Sequence, residues 1–131
     1  MHRTEAARAV RLTTLILLLA VWAAPAAAQT VRILVQDSPL AGSQYYALET
    51  RFADMRVGDP LALTRESDNR HDRNAVRVDW HGEKLGYLPR AENRAVAAAM
   101  DGGLAVEGRI AALVPHSNPW KRLRVEVWIA P

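Results

Sequence analysis

The chain is 131 residues long, carries 17 basic and 14 acidic side chains, and contains no cysteine. This length predicts one small domain. The absence of cysteine excludes disulfide bonds and zinc sites built from thiolates.

The first 28 residues have the pattern of a secretory signal peptide. A basic start precedes an apolar stretch from Leu12 to Ala24, and three alanines at 26–28 offer a cleavage site before Gln29. The apolar stretch is short for a membrane span, which needs about 20 residues. We therefore predict a signal peptide at 1–28, cleavage near Ala28, a mature domain at 29–131 and export to the periplasm or the medium. A retained anchor or a later start codon is the alternative.

Charge in the predicted mature domain is nearly balanced. Three of the 17 basic residues and one of the 14 acidic residues lie in the leader, so its removal leaves 14 and 13 and a net charge of +1. A domain with so little net charge has no overall field to attract a polyanion. Any nucleic-acid site must therefore be a local patch that contacts few phosphates.

The first half of the mature domain predicts short strands separated by turns. Alternating apolar residues predict an opening strand over 31–36, which Ser38–Gly42 interrupts. Residues 45–48 fit either a short strand or one helical turn, and residues 61–64 fit a strand. The next two strands, 76–80 and 84–88, are predicted to form a hairpin around His81-Gly82.

The second half predicts one helix between further strands. Residues 90–101 are rich in alanine, the best helix former, and Gly102-Gly103 ends the helix. Strands follow at 104–114 and 123–129, with a loop between them that contains Trp120. The prediction is a mainly β fold with one or two helices, and small chains of this kind usually close into a barrel that hides strand edges.

Seven consecutive polar side chains from Asp68 to Asn74 precede the third predicted strand. Asn and Asp bond readily to nearby backbone, so one interpretation is a turn that only positions the strand beginning at Ala75. The other is that Asn69, His71 and Asp72 face a pocket, where a carboxylate would accept a hydrogen bond from a sugar hydroxyl. The residues alone leave both interpretations open.

This loop belongs to a longer run, RESDNRHDRNAVRVDWHGEKLGYLPR at 65–90, that resembles the HIRAN domain when taken with Ser38–Gly42 and the Tyr45-Tyr46 pair. The family occurs at the N-terminus of helicase-like DNA-repair proteins and as small stand-alone bacterial domains. The resemblance covers about Val31 to Ile129. It implies a compact, partly open β-barrel of the oligonucleotide-binding or SH3-like type.

The resemblance also implies a function. In HIRAN domains that bind DNA, a Tyr-Tyr pair and an Asn-Pro-Tyr-Asp loop hold the last nucleotides of a single strand and cap its 3′-hydroxyl. Here Asn69 and Asp72 match the loop's ends, whereas Arg70, His71 and Gln44 depart from the family pattern. The resemblance thus implies recognition of single-stranded DNA ends. The implied DNA-binding residues are Tyr45, Tyr46, Asn69, His71, Asp72, Tyr87 and Arg90.

Two details of this site are predicted separately. If the tyrosine pair lies on a strand, its side chains point to opposite faces, so we expect Tyr45 to stack on a base and Tyr46 to pack inside. The Arg90 guanidinium suits a phosphate; solvation of the helix start is the alternative role. A basic patch would extend over Arg65, Arg73 and Lys84 if the fold brings them together.

Two rival functions stay open. The leader, the balanced charge and the Arg70-His71 departure also fit a periplasmic module that binds a protein, peptide or glycan. A small hydrolase or metal protein would have to use Asp68, His71 and Asp72, which fit no known ligand spacing. No phosphate-loop or nucleophile-elbow motif is present. We expect no enzyme activity, no cofactor, a monomer, and no membrane contact after processing; hydrolase and zinc functions in larger family members reside in other domains.

Overall fold

The structure is a computed structural model that describes residues 31–130, so the predicted leader lies outside the described residues. It contains six strands and two helices, joined in places by single 3₁₀ turns. The strands are β1 (Ile33–Pro39), β2 (Pro60–Glu66), β3 (Ala75–Trp80), β4 (Glu83–Tyr87), β5 (Ala105–Leu113) and β6 (Leu123–Ala130). The helices are α1 (Leu48–Arg51) and α2 (Arg94–Asp101), and the 3₁₀ turns are Ser43–Tyr45, Phe52–Asp54 and Pro119–Lys121.

The six strands form one antiparallel order, β1-β6-β5-β2-β3-β4. This order confirms the mainly β fold. A barrel was predicted, but the sheet is not closed into one. One isolated bridge, Ala41 to Tyr87, joins the chain after β1 to the end of β4. Closure stops there because β1 ends at Pro39, which has no backbone N–H to donate, and the chain then turns at Gly42 with φ +72°.

The core follows the period-two alternation of the strands. In β6 the alternate residues Leu123, Val125, Val127 and Ile129 are buried, and β3 buries Val76, Val78 and Trp80 in the same way. Helix α2 adds Val96 and Ala97 to this core. Met100, one turn after Val96, packs against the same core, as expected for an amphipathic helix with its apolar face toward the sheet.

The hairpin between β3 and β4 forms as predicted. His81 and Gly82, at φ 47° and 78°, make the two-residue turn. Two consecutive positive φ angles are the geometry that matches the twist of hairpin strands. The predicted helix is shorter than expected, since it begins at Arg94 rather than Arg90.

Strand β1 forms as predicted, but its side-chain alternation changes part-way along the strand. Its buried side chains are Gln36 and Ser38, whereas Ile33 and Val35 are 49% and 36% exposed. The cause is a register shift between Leu34 and Gln36 opposite β6. A bulge adds one residue, so the apolar alternation of the sequence moves to the other face.

Residues 45–48, which fitted a strand or a helical turn, end one 3₁₀ turn and lead into helix α1. No helix among residues 31–130 has the length and apolar character needed to cross a membrane.

Candidate functional site

An open cavity of about 300 Å³ lies at one end of the β2-β3-β4 part of the sheet. The chain segments that follow β1, β2 and β4 meet there. Its lining consists of Ala41, Tyr46, Asn69, His71, Asp72, Ala75, Tyr87, Leu88 and Arg90. The fold therefore brings together every predicted site residue except Tyr45.

Asp72 is a hydrogen-bond acceptor in the lining of this cavity. Its Oδ1 accepts a hydrogen bond from the Asn74 backbone N–H at 2.9 Å, and its Oδ2 accepts one from Asn93 Nδ2 at 2.6 Å. An ionised carboxylate has about four acceptor positions. One acceptor position on each oxygen is therefore not used by the described residues.

The side chain of Asn69 makes its hydrogen bonds within the polar loop and to strand β2. Its Oδ1 accepts hydrogen bonds from the backbone N–H groups of His71 and Asp72, at 2.9 and 3.2 Å. Its Nδ2 donates to Glu66 Oε1 at 3.1 Å. Asn69 therefore supports the turn, and the turn places His71 and Asp72 in the lining of the cavity.

The opposite wall is aromatic and carries a cation. The rings of Tyr46 and Tyr87 meet edge to face, with centroids 6.5 Å apart. Lys84 Nζ lies 4.2 Å from the Tyr46 centroid and 4.4 Å from the Tyr87 centroid. It also donates to the Tyr87 hydroxyl at 2.7 Å, and that hydroxyl donates to Glu66 Oε1 at 2.9 Å. Glu66 therefore joins the aromatic wall to the Asn69 turn.

These contacts shift the pKa values of Lys84 and Glu66. Burial alone would lower the pKa of Lys84, but its hydrogen bonds to Tyr87 and Tyr46 outweigh that effect and raise it. Burial alone would raise the pKa of Glu66, yet the hydrogen bonds from Asn69 and Tyr87 and the charge of Lys84 bring it below its usual value. Both side chains are charged at neutral pH.

Gly86 allows the two edges of the cavity to meet. Ala41 N–H donates to the Tyr87 carbonyl at 2.8 Å, and Tyr87 N–H donates to the Ala41 carbonyl at 3.0 Å. A Cβ on Gly86 would lie 2.4 Å from the Ala41 oxygen, and Gly86 has φ +155°. Only glycine fits this conformation and this approach.

A second cavity of about 330 Å³ continues from the first and shares His71, Asp72 and Arg90 with it. Its remaining lining includes Arg70 and Arg73. Arg70, Arg73 and Arg90 are exposed, and none of them forms an ion pair within the described part of the chain. Three unpaired guanidinium groups make this cavity suited to an anion.

Arg65, which was considered as part of the same patch, lies elsewhere. Its guanidinium pairs with Asp101 at 3.0 Å and also donates to the backbone carbonyls of Arg73 and Ala75. These bonds tie the polar loop to the end of α2. Arg65 is therefore a structural residue.

Tyr45 does not line the cavity and is 77% exposed. Tyr46, at 37%, forms part of the wall. The alternation expected for a strand does not apply, because Tyr45 ends a 3₁₀ turn and Tyr46 follows it. Trp120, on the loop before β6, is 45% exposed.

Sequence reasoning missed three residues that support the site: Glu66, Lys84 and Asn93. Of these three residues, the sequence indicated only Lys84, as part of a basic patch. Their roles depend on pairings between residues 21 positions apart, such as Tyr87 with Glu66 and Asn93 with Asp72. No local pattern signals such pairings. Within residues 31–130, no three His, Asp or Glu side chains are grouped closely enough to hold a metal ion.

This chain is similar to a known domain family and to solved structures. The model of the HIRAN domain family matches residues 33–130. A crystal structure of a protein from Lactobacillus plantarum superposes with a TM-score of 0.64 at 28% identity, over 77% of this chain and 97% of that one. The HIRAN domain of human HLTF superposes with a TM-score of 0.54 at 22% identity, over 76% and 80% of the two chains. The second similarity concerns the fold alone.

One curated protein is also similar. It is a probable phosphorylase b kinase regulatory subunit alpha from Drosophila melanogaster, 28% identical over 83 residues. The match covers 57% of this chain but spans only 7% of that protein's length.

Proposed function

We propose that this chain recognises the 3′-hydroxyl end of single-stranded DNA. The chain belongs to the HIRAN domain family, which is associated with nucleic-acid binding. The terminal nucleoside occupies the cavity lined by Tyr46, His71, Asp72 and Tyr87. The phosphate that precedes it in the strand lies in the adjoining cavity, near Arg70, Arg73 and Arg90.

The observation that carries this proposal is the position of the Asp72 carboxylate. It lines both cavities, with an aromatic wall on one side and three unpaired arginines on the other. A free 3′-hydroxyl donates a hydrogen bond to such a carboxylate. A 3′-phosphate has no suitable donor at neutral pH and is repelled by the negative charge. The site therefore distinguishes the two ends by chemistry rather than by size.

Base binding comes from the aromatic wall and from His71. Stacking on an aromatic side chain contributes about 1–3 kcal/mol per base and tolerates every base. His71 stacks less strongly than the tyrosine usual at this position, because its ring is smaller. We therefore expect recognition of the end with little sequence preference.

Export to the periplasm or the medium is part of the same proposal. The leader predicted at 1–28 supports export, which would place the domain where DNA is scarce and where strand ends arise during DNA uptake.

A periplasmic protein partner is the alternative. It is supported by the consecutive exposed apolar residues Ile33, Leu34 and Val35 on the edge strand β1, since unpaired edges accept a further strand from another chain.

The test is fluorescence anisotropy of the purified protein with short single strands ending in a 3′-hydroxyl or a 3′-phosphate. We expect the hydroxyl end to bind at least tenfold more tightly, and Asp72→Ala to remove the difference. Asp68→Ala is the matched control, since Asp68 lies in the same loop but lines neither cavity. Equal affinity for the two ends, or no binding to either at low salt, refutes the proposal.

A further inference from the structure

We infer that Asn93 is a positioning residue: it holds the Asp72 carboxylate in the orientation that accepts the ligand hydroxyl. The inference rests on the function proposed above and extends it to a residue that does not line either cavity. Asn93 acts from behind Asp72, at the start of helix α2.

The geometry links these two side chains closely. Asn93 Nδ2 donates to Asp72 Oδ2 at 2.6 Å, and Asn93 has no exposed surface. The Asn74 backbone N–H holds the other carboxylate oxygen at 2.9 Å. The carboxylate is thus fixed at both oxygens by two different parts of the chain, the polar loop and helix α2. With both oxygens fixed, the acceptor positions that remain free have a fixed direction.

The helix gains little from this arrangement. Asn is favoured at the residue before a helix because its side chain accepts a hydrogen bond from the first turn. Asn93 occupies that position in α2, yet its side chain makes no such bond. Its Oδ1 is buried and has no partner among the described residues. An unpaired buried oxygen weakens the folded state, so the amide is oriented toward Asp72 at the expense of its own helix.

Orientation matters because binding through a mobile side chain loses affinity. A carboxylate that rotates freely must be ordered when the ligand arrives, and that ordering reduces the free energy of binding. A carboxylate that is already held loses nothing further. Removing the Asn93 amide should therefore weaken the hydroxyl contact while leaving the phosphate contacts unchanged.

The first test compares Asn93→Ala with Ala98→Gly. Asn93→Ala removes both the donor and the unpaired oxygen, and we expect affinity for a 3′-hydroxyl strand to fall about tenfold. Affinity for a 3′-phosphate strand should hardly change. Ala98→Gly weakens the same helix at an exposed position without touching Asp72, and should bind as the wild type does. Equal weakening for both strand ends, or equal loss in both variants, would show a structural role only.

The second test uses pH. Asn93→Asp places two carboxylates side by side, which then share one proton, and the upper pKa of the pair is raised. Below that pKa the shared proton replaces the amide hydrogen, so binding should approach the wild-type value. Above it both groups are charged and repel each other, so binding should fall as the pH rises from about 5 to about 8. If the ratio of Asn93→Asp affinity to wild-type affinity does not change with pH, the inference is contradicted.

Other ionisable groups line the same cavity as Asp72 and must be controlled. His71, Arg70 and Arg73 approach from the loop, and Arg90 approaches from the segment after β4. All four are present in both proteins, so the ratio of variant to wild-type affinity at each pH cancels their effect. Melting temperatures over the same pH range identify any loss that comes from unfolding.

A measurement without ligand separates this inference from the proposed function. Side-chain NMR couplings of Asp72 should report one rotamer in the wild type and averaging in Asn93→Ala. If the wild type shows averaging too, the positioning role is wrong even where DNA ends are distinguished. If the rotamer is fixed by Asn93 but the two strand ends bind alike, the proposed function fails and the positioning of Asp72 still holds.

Discussion

Replacement of Gly86 by alanine tests how the two edges of the cavity are joined. The new Cβ would lie 2.4 Å from the Ala41 carbonyl oxygen, a backbone atom that must move. Its movement breaks the two hydrogen bonds between Ala41 and Tyr87, each contributing about 1 kcal/mol. The φ of +155° adds at least about 1 kcal/mol of backbone strain. We expect a loss of about 3 kcal/mol, or roughly 12–24 °C in melting temperature for a domain of this size.

The assay is thermal unfolding followed by circular dichroism, with Gly82→Ala as the control. Gly82 also has a positive φ, +78°, but no atom lies within 4 Å of its added Cβ. It should lose only the strain, about 1 kcal/mol, or roughly 4–8 °C. Gly86→Ala should also weaken DNA binding, because Ala41 and Tyr87 line the cavity. Equal melting temperatures for the two variants would refute the argument from close approach.

Three further predictions concern charge. Lys84→Met keeps the apolar stem but removes the ammonium beside Tyr46, and should lower the melting temperature by roughly 4–8 °C, for a loss of about 1 kcal/mol; an unchanged value would contradict the cation–ring contact. Because the folded-state pKa of Glu66 is lowered, its stabilisation is complete above the unfolded pKa and is lost as the pH falls through the folded pKa. The melting-temperature advantage of wild type over Glu66→Gln should therefore shrink from about pH 6 to about pH 3, whereas a constant difference would exclude this linkage. In a salt titration, Arg70→Ala should reduce the slope of log affinity against log salt by about 0.7, the value for one single-strand phosphate; Arg124→Ala, whose side chain pairs with Asp37 instead, should leave the slope unchanged.

Local sequence patterns predicted the parts of the fold that depend on neighbouring residues. The alternation of Leu123, Val125 and Val127 specified which face of β6 is buried, and His81-Gly82 specified the hairpin turn. Strand β1 was predicted from its alternation, but the bulge beside Gln36 that reverses this alternation was not predicted. A bulge arises from pairing with β6, far along the chain, so the sequence of β1 alone does not contain it.

The candidate site shows the same division. The polar loop and the segment after β4 could be selected from sequence because the resemblance covers those residues. Tyr46 was expected to pack inside but is 37% exposed at the cavity wall, because the backbone forms a 3₁₀ turn where a strand was assumed. The supporting roles of Lys84 and Asn93 were not predicted, because they depend on contacts with Tyr46 and Asp72, which lie far away in the sequence. Closure of the barrel was also mispredicted, since one bridge at Ala41 does not make a strand ladder.

The central claim is that Asp72 accepts a hydrogen bond from the 3′-hydroxyl of a bound strand. A double-mutant cycle tests it most directly, pairing wild type and Asp72→Ala with strands that end in a 3′-hydroxyl or a 3′-hydrogen. Such a cycle isolates the energy of one contact when each change removes only that contact. We predict a coupling energy of about 1.5–3 kcal/mol, the contribution of a hydrogen bond to a charged group. A coupling energy near zero, with both proteins folded and binding DNA, would contradict the account.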